Sequence, residues 1–153
     1  LLVGGATSAE SAHRREQAER GARVVRGALE AGVVPGGGAA LLDCRPALRS
    51  ALKEAPDDDQ AAALRCLVRA LEQPARVLVD NAGFDSDAVI GHLRAGEAFD
   101  VRSGRAVRAD RAGIWDAAQV LQSAVQRATL AAGLALTVDV LVHHRNPAVS
   151  TEP

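Results

Sequence analysis

The 153-residue sequence is 48% hydrophobic but only 2% aromatic, lacks Met and Tyr, and carries 18 basic against 19 acidic residues for a formal charge of −1. A balance so near zero excludes any general electrostatic pull toward nucleic acid or an anionic membrane, and no apolar run approaches the ~18 residues of a membrane span. With so few rings the core has to be built from Ala, Leu and Val, which suits closely packed helices in one domain.

Leu1 to Ala6 reads as the end of a short buried strand. Thr7-Ser8-Ala9-Glu10 has the capping-box pattern, with Thr7 as N-cap and Glu10 reaching back to it. A helix is predicted from there to about Ala31. Arg14, Arg15, Glu16, Glu19, Arg20, Arg23 and Arg26 fall on its wetter faces, as a solvated surface rather than a binding patch. Ala18, Ala22, Val25 and Leu29 recur at helical spacing as its buried stripe. Gly32 then takes the C′ position, where a residue without Cβ enters positive φ cheaply.

The chain is organised around the next stretch, Val33-Val34-Pro35-Gly36-Gly37-Gly38. The two valines read as buried, Pro35 fixes φ, and three glycines lead straight into Ala39-Ala40-Leu41-Leu42. Such a turn at a helix N-terminus can bring bare backbone N–H groups against a nucleotide or other anion. It can equally be a tight helix–helix connection in which glycine only permits close packing.

Ala39 to about Lys53 is helical, with Leu41, Leu42, Leu48 and Leu52 as its core face and Pro46 expected to kink or interrupt it. Residues 54–59 form an exposed acidic turn whose three Asp residues favour the next helix dipole. Adjacent carboxylates there point apart, so a metal site is not expected. The following helix runs from about Gln60 to Leu71 and on past Pro74 to Asn81, closed by Asn81-Ala82-Gly83. Ser86 caps a short helix ending near Leu93. Ala98-Phe99-Asp100-Val101 and Arg105-Ala106-Val107-Arg108 flank Ser103-Gly104 as a β-hairpin. A last long helix spans about Ala117 to Leu136, with Asp116 as its N-cap. Residues 138–142 look strand-like, and His143-His144 open a polar tail. Neighbours on a strand face opposite sides, so that His pair reads as solvated rather than metal-binding.

Cys44 and Cys66 lie singly in helical patterns and read as reduced core thiols, the state expected in the cytoplasm. No segment has the basic-then-apolar pattern of a secretory signal. Leu rather than Met stands at position 1, as it would in a piece of a longer protein. There is no zinc spacing, no nucleophile elbow, no recognisable Ser/His/Asp order and no internal repeat.

Several of these motifs occur together in one order. Val3-Gly4-Gly5-Ala6-Thr7, Glu30-Ala31-Gly32-Val33-Val34-Pro35-Gly36-Gly37-Gly38-Ala39-Ala40-Leu41, Arg69-Ala70-Leu71-Glu72-Gln73-Pro74-Ala75-Arg76, Asp80-Asn81-Ala82-Gly83 and Gly113-Ile114-Trp115-Asp116 together resemble the group I chaperonins of the GroEL type. The resemblance covers nearly the whole chain, with one loop a few residues short after Gly83. It implies a mainly α fold: an equatorial-domain-like helical bundle with a small β-hairpin and a short C-terminal strand. Residues 1–32 would be an intermediate-domain strand and helix, 33–142 the C-terminal half of the equatorial domain, and 143–153 a flexible tail.

The function implied is that of a fragment of an ATP-dependent folding machine, a double-ring homo-oligomer that encloses non-native polypeptides and works with a co-chaperonin. Its cofactor would be ATP or ADP with Mg, bound by the full-length family and not tightly by this chain alone. Gly36 and Gly37 would pack on the nucleotide, Ile114 against the base, and Asp116 on the ribose. Asp100 matches an Asn of the adenine pocket, keeping an acceptor and losing the amide donor. Arg76 and Asp85 match positions that meet across the two rings, and residues 138–142 a strand near the subunit interface. Nucleic acid and membrane are not implied partners; the location implied is cytoplasmic.

Two departures bear on catalysis. The family's hinge helix carries an aspartate that positions water and metal for hydrolysis, and counting back from Gly32 that position holds Arg20. A guanidinium has no acceptor and stays protonated, so it serves neither as base nor as cation ligand. The family's Gly-Asp-Gly-Thr-Thr-Thr phosphate segment, its metal-binding Asp and its polypeptide-binding apical domain are not in this sequence. No residue here is therefore expected to be catalytic or to bind metal. The alternative is a catalytically inactive helical scaffold or interaction module derived from a chaperonin.

Overall fold

The computed structural model describes residues 2–140 and Val142. Helix α1 (Ser8–Ala31) starts where Thr7, in extended conformation, accepts the Glu10 N–H on its hydroxyl at 3.2 Å. The other half of the expected capping box is displaced by one residue, since the Glu10 carboxylate takes the N–H of Ala6 at 2.8 Å. The helix ends at Gly32, whose φ of 82° is positive and whose N–H returns to the Ala28 carbonyl. Residues 2–6 form no strand, and Leu2 is fully exposed.

The face expected to be the buried stripe of α1 is open: Val25 is 60% and Leu29 84% exposed. Helical spacing shows that apolar residues share a face, but burial also needs a partner surface, and among the described residues α1 is buried only at Gly27. Gly27 sits beside the Gln119 side chain, where a Cβ would come within 2.7 Å of Oε1.

The valine pair after Gly32 is not buried helix-linker but strand β1 (Val33–Pro35), with Val33 half exposed. It pairs antiparallel with β4 (Trp115–Ala117) in the register Val33↔Ala117, Val34↔Asp116, Pro35↔Trp115. Beyond the glycine turn come α2 (Ala39–Asp43) and α3 (Arg45–Lys53). The break at Cys44 is the interruption expected of Pro46, which occupies the second position of α3, where its missing N–H has no intrahelical use.

Helix α4 (Asp58–Asn81) is capped by Asp57, whose carboxylate accepts the Gln60 N–H at 2.7 Å, and it continues through Pro74. Its buried residues Leu71, Ala75 and Val79 follow a four-residue spacing, one face of the helix. Asp85, not Ser86, caps α5 (Ser86–Ile90), accepting the N–H groups of Asp87 and Ala88. A carboxylate one residue earlier simply reaches both orphan donors. Strands β2 (Glu97–Asp100) and β3 (Arg105–Arg108) form the expected hairpin, closed at Gly104 with φ 66°. Between it and β4 lies the four-residue α6 (Ala109–Ala112).

The core is small-residue packing in two clusters. Ala39, Ala98 and Ala109 meet with Ile114 against them; Leu42, Ala75 and Ile90 meet with Leu93 against them. Helix α7 (Ala118–Leu136) begins in the first of two compact units, residues 1–120, and supplies the helix of the second. Leu130, Leu134 and Leu136 on it are exposed. After it, Val138–Val140 and Val142 adopt no strand and are exposed, because no described segment offers them a ladder of N–H and C=O partners. His143 and His144 lie outside the described residues. Both cysteines are free thiols, as expected, but exposed rather than core: Cys44 instead donates its S–H to the Ala40 carbonyl at 3.3 Å. Among the described residues no helix is long and apolar enough to cross a membrane.

Candidate functional site

The glycine turn is held between three elements. Gly36 is buried, and its N–H donates to the Ile114 carbonyl at 3.0 Å, extending the β1–β4 ladder by one rung. A Cβ on Gly36 would stand 3.0 Å from the Trp115 carbonyl carbon and 3.2 Å from Ile114 Cγ2. Gly37 has φ 66°, and a Cβ on it would stand 3.5 Å from the Ala98 methyl and 3.8 Å from Ile114 Cγ2. Gly38, at φ 82°, lies against α4 so closely that a Cβ would meet the Ala75 N and Cβ at 2.8 Å. Each glycine therefore has its own reason: contact with β4, a left-handed turn over the hairpin, and backbone-to-backbone approach to α4.

This turn, Ile114 and the base of the hairpin form one surface, floored by Ala39, Ala98 and Ala109. Asp116 is two residues beyond Ile114 and opposite Val34, so the β1–β4 ladder ties it to the same region. It caps no helix. It lies in β4, because pairing with β1 extends the chain through Ala117 before α7 begins. Of the five sequence-identified residues, Gly36, Ile114 and Asp116 are thus tied to one region by backbone pairing, and Gly37 turns beside the Ile114 side chain.

Asp100 stands two residues past Ala98 on the same face of β2, but its carboxylate is turned to its own hairpin. It accepts the Ser103 hydroxyl at 2.7 Å and the Arg102 N–H at 3.0 Å. These two donors hold its carboxyl below the ordinary carboxylate range. Asp100 is therefore charged at neutral pH, and its acceptor capacity is partly spent on closing the turn.

Arg20, at the hinge-helix position, is exposed and ion-paired with Glu16 one turn earlier. Arg76 pairs within the chain, with Asp87 and with Glu72, while Asp85 serves as the α5 cap. Glu72 bridges Arg76 and Arg45, its side chain only 17% exposed. Burial pushes its pKa up, but the hydrogen bonds and charges of the two guanidiniums outweigh this and leave it lowered. No group of three His, Cys, Asp or Glu side chains suited to a metal ion occurs among the described residues.

Sequence reasoning missed the ladder that assembles this region, and also Ala98 and Ala75, on which Gly37 and Gly38 rest. The available signal was the β-branched pair Val33-Val34 immediately before a proline, too short a run to show strand periodicity.

A sequence model of the TCP-1/cpn60 chaperonin family matches residues 1–146. "Chaperonin GroEL 3" of Methylococcus capsulatus is 38% identical over 144 residues, covering 92% of this chain and 25% of that protein. "Chaperonin GroEL 2" of Cereibacter sphaeroides is 36% identical over 149 residues, covering 95% of this chain and 27% of that protein. The chain thus spans about a quarter of the length of the curated relatives it matches. With a mainly α fold and a family match over nearly all its residues, the chain belongs to the TCP-1/cpn60 chaperonin family.

Proposed function

We propose that this chain is the C-terminal portion of a GroEL-like molecular chaperone, an ATP-dependent protein-folding machine built as a double ring in the cytoplasm. In this reading residues 1–32 are the hinge-side piece of an intermediate domain, and residues 33–142 the second half of an equatorial domain. Gly36 and Gly37 pack on a nucleotide, Ile114 packs on its base, Asp116 accepts from its ribose, and Asp100 borders the base. ATP or ADP with Mg is the cofactor of the whole protein, and phosphate and metal are held by parts of it outside this sequence. Its partners are further copies of itself, a co-chaperonin and non-native polypeptides.

The observation that carries the reading is the seating of Gly36 and Gly37 on Ile114. Glycine backbone beside an apolar side chain, with Asp116 two residues further on in β4, is suited to a sugar and base. The test is the intact mass of the native product, followed by its thermal stability with Mg-ADP. Since the chain covers 25% to 27% of its relatives, a native product roughly four times its 15.8 kDa is expected. Ligand at ~100 times its dissociation constant should stabilise that product by about 2.7 kcal/mol. A native product of 15.8 kDa, or a large one indifferent to nucleotide, overturns the reading.

A second reading has its own support. Arg20 is locked to Glu16, and the Asp100 carboxylate is occupied by its turn. Both favour a scaffold that assembles with chaperonin subunits without hydrolysing ATP. ATP turnover by the native product, measured beside an Arg20→Asp variant, separates the two. No turnover in the wild type, with or without nucleotide binding, selects the scaffold.

A further inference from the structure

The β2–β3 hairpin carries Ala98 and Asp100 toward the glycine turn, yet it is only two strands of four residues each. A lone hairpin is marginal in water, so contacts from outside must set where it sits. Its share of the floor is the methyl of Ala98, beside those of Ala39 and Ala109, and so few carbons bury little area. Two further ties come from elements remote in sequence, one at each end of the hairpin.

The tie at the base is Asp43, the last residue of α2. Its two carboxylate oxygens accept the Gly96 N–H at 3.0 and 3.2 Å, across 53 positions of sequence. Gly96 immediately precedes β2 with φ 74°, and its carbonyl accepts the N–H of the fully buried Ala109 at 3.1 Å. One residue thus joins α2, which starts directly from the glycine turn, to the first strand of the hairpin and to the alanine floor. A carboxylate at a helix C-terminus opposes the macrodipole, so Asp43 stands where a tertiary partner, not the helix, favours it.

The tie at the tip is Phe84, in the connection between α4 and α5. Its ring meets that of Phe99, the chain's other phenylalanine, edge-on, with 5.0 Å between centroids and 72° between planes. A Cβ on Gly104, at the hairpin turn, would stand 3.1 Å from Phe84 Cζ, so the turn is shaped to take the ring. Phe84 is itself anchored to the end of α4, its N–H donating to the Val79 carbonyl at 3.1 Å. Phe99 projects from the face of β2 opposite to Ala98 and Asp100, so the hairpin is held from the glycine-turn side and from behind.

We infer that Asp43 and Phe84 are positioning residues for the base side of the nucleotide site: together they fix the β2–β3 hairpin so that Ala98 and Asp100 stand against the glycine turn. This role rests on the nucleotide reading of that turn and adds the residues that set base selectivity without touching the ligand. A site assembled a tenth of the time binds about ten times more weakly. Loosening either tie therefore costs affinity for the base rather than for the rest of the nucleotide.

The test uses the native product and compares its affinity for Mg-ADP with that for Mg-UDP, which shares the ribose and diphosphate and differs in the base. Wild type should prefer ADP. Asp43→Ala and Phe84→Ala should each lower ADP affinity about tenfold and UDP affinity far less, eroding the preference. Asp43→Asn, which keeps an oxygen acceptor for Gly96, and Phe84→Tyr, which keeps the ring, should each retain most of it. Both positions are exposed, and circular dichroism checks that each variant folds. Phe84→Leu, apolar but without a ring, serves if Phe84→Ala does not.

Amide exchange without nucleotide is the independent readout: it should rise across residues 96–100 in both Ala variants and stay unchanged in the middle of α4. Equal affinity of the wild type for the two nucleotides, Ala variants that keep its preference, losses of the same size for both nucleotides, or unchanged exchange at residues 96–100 overturns the inference alone. A wild type that binds neither nucleotide overturns the nucleotide reading itself, and this inference with it.

Discussion

Helices α1 and α4 are each 24 residues long and each opens on an oxygen side chain that accepts from the N3 N–H, yet they are held in different ways. Helix α4 buries Leu71, Ala75 and Val79 and is flanked by α2, α3 and α5. Helix α1 buries only Gly27, and its side-chain bonds are mostly Arg–Glu pairs one turn apart. The first is stabilised by tertiary packing, the second by propensity, capping and local charge. A long helix is marginal without packing. The contrast teaches that in this chain an apolar stripe on a helix records where a partner surface belongs, and that only α4 has its partner within the described residues.

The largest effect that sharpens this contrast belongs to Gly38, whose absent Cβ lets α2 start against α4. In Gly38→Val a side chain would be forced into positive φ and against the Ala75 backbone, where even a Cβ stands at 2.8 Å. Left-handed strain and overpacking together predict a loss of about 3 kcal/mol or more in urea unfolding. The matched control is Gly32→Ala at the end of α1. It has the same positive φ but nothing within 4 Å of the new Cβ, so only backbone strain of about 1–2 kcal/mol remains. Equal losses at the two sites would mean that the approach to α4 carries no energy.

Next in size is truncation of the buried faces. Leu71→Ala removes a side chain that is 8% exposed and should cost about 2–3 kcal/mol, while Leu29→Ala on α1, at 84% exposure, should stay within about 0.5 kcal/mol. A large loss at Leu29 would show that the α1 stripe is covered in solution, as it would be in an assembly.

The legibility of the fold in the sequence divides along the same line. The Thr7 cap, the Pro46 break, the α4 helix through Pro74 and the β2–β3 hairpin rest on local chemistry, and they stand as read, whereas the caps expected at Ser86 and Asp116 do not: Asp85 caps α5 and Asp116 lies in β4. The buried stripe of α1, the core thiols and a strand over 138–142 required knowledge of what lies opposite, and there the reading failed. The glycine turn falls between these cases. Its residues were identifiable, but the β1–β4 ladder that joins it to Asp116 links residues about eighty positions apart through strands of three residues each. Nothing local announces a pairing that short.

Glu72 tests the polar side of α4 packing at a smaller scale. Its lowered pKa means that the folded state favours the carboxylate, so its contribution is fully present above the unfolded value near 4.5 and is lost as pH falls through the folded value below it. Glu72→Gln leaves the part-buried Arg45 and Arg76 guanidiniums without their shared counter-charge and should cost about 1–2 kcal/mol at neutral pH. The difference from wild type should shrink as pH is taken below the carboxylate range. A difference independent of pH would assign the loss to shape rather than charge.

The smallest effect is expected where α1 carries its charges. The four Arg–Glu pairs have side chains 37% to 83% exposed, and pairs of that kind contribute roughly 0.3–0.5 kcal/mol each. Glu30→Gln, which releases Arg26 near the C-terminal end of the helix, should shift urea unfolding by no more than about 0.5 kcal/mol, and the shift should vanish in high salt. Helix α1 has few tertiary contacts to dilute such a change, so it should appear in amide exchange of the last turns before Gly32 while α4 stays unaltered. If exchange rose in α4 as well, the two helices would be one cooperative unit, and packing would have to reach α1 through β4.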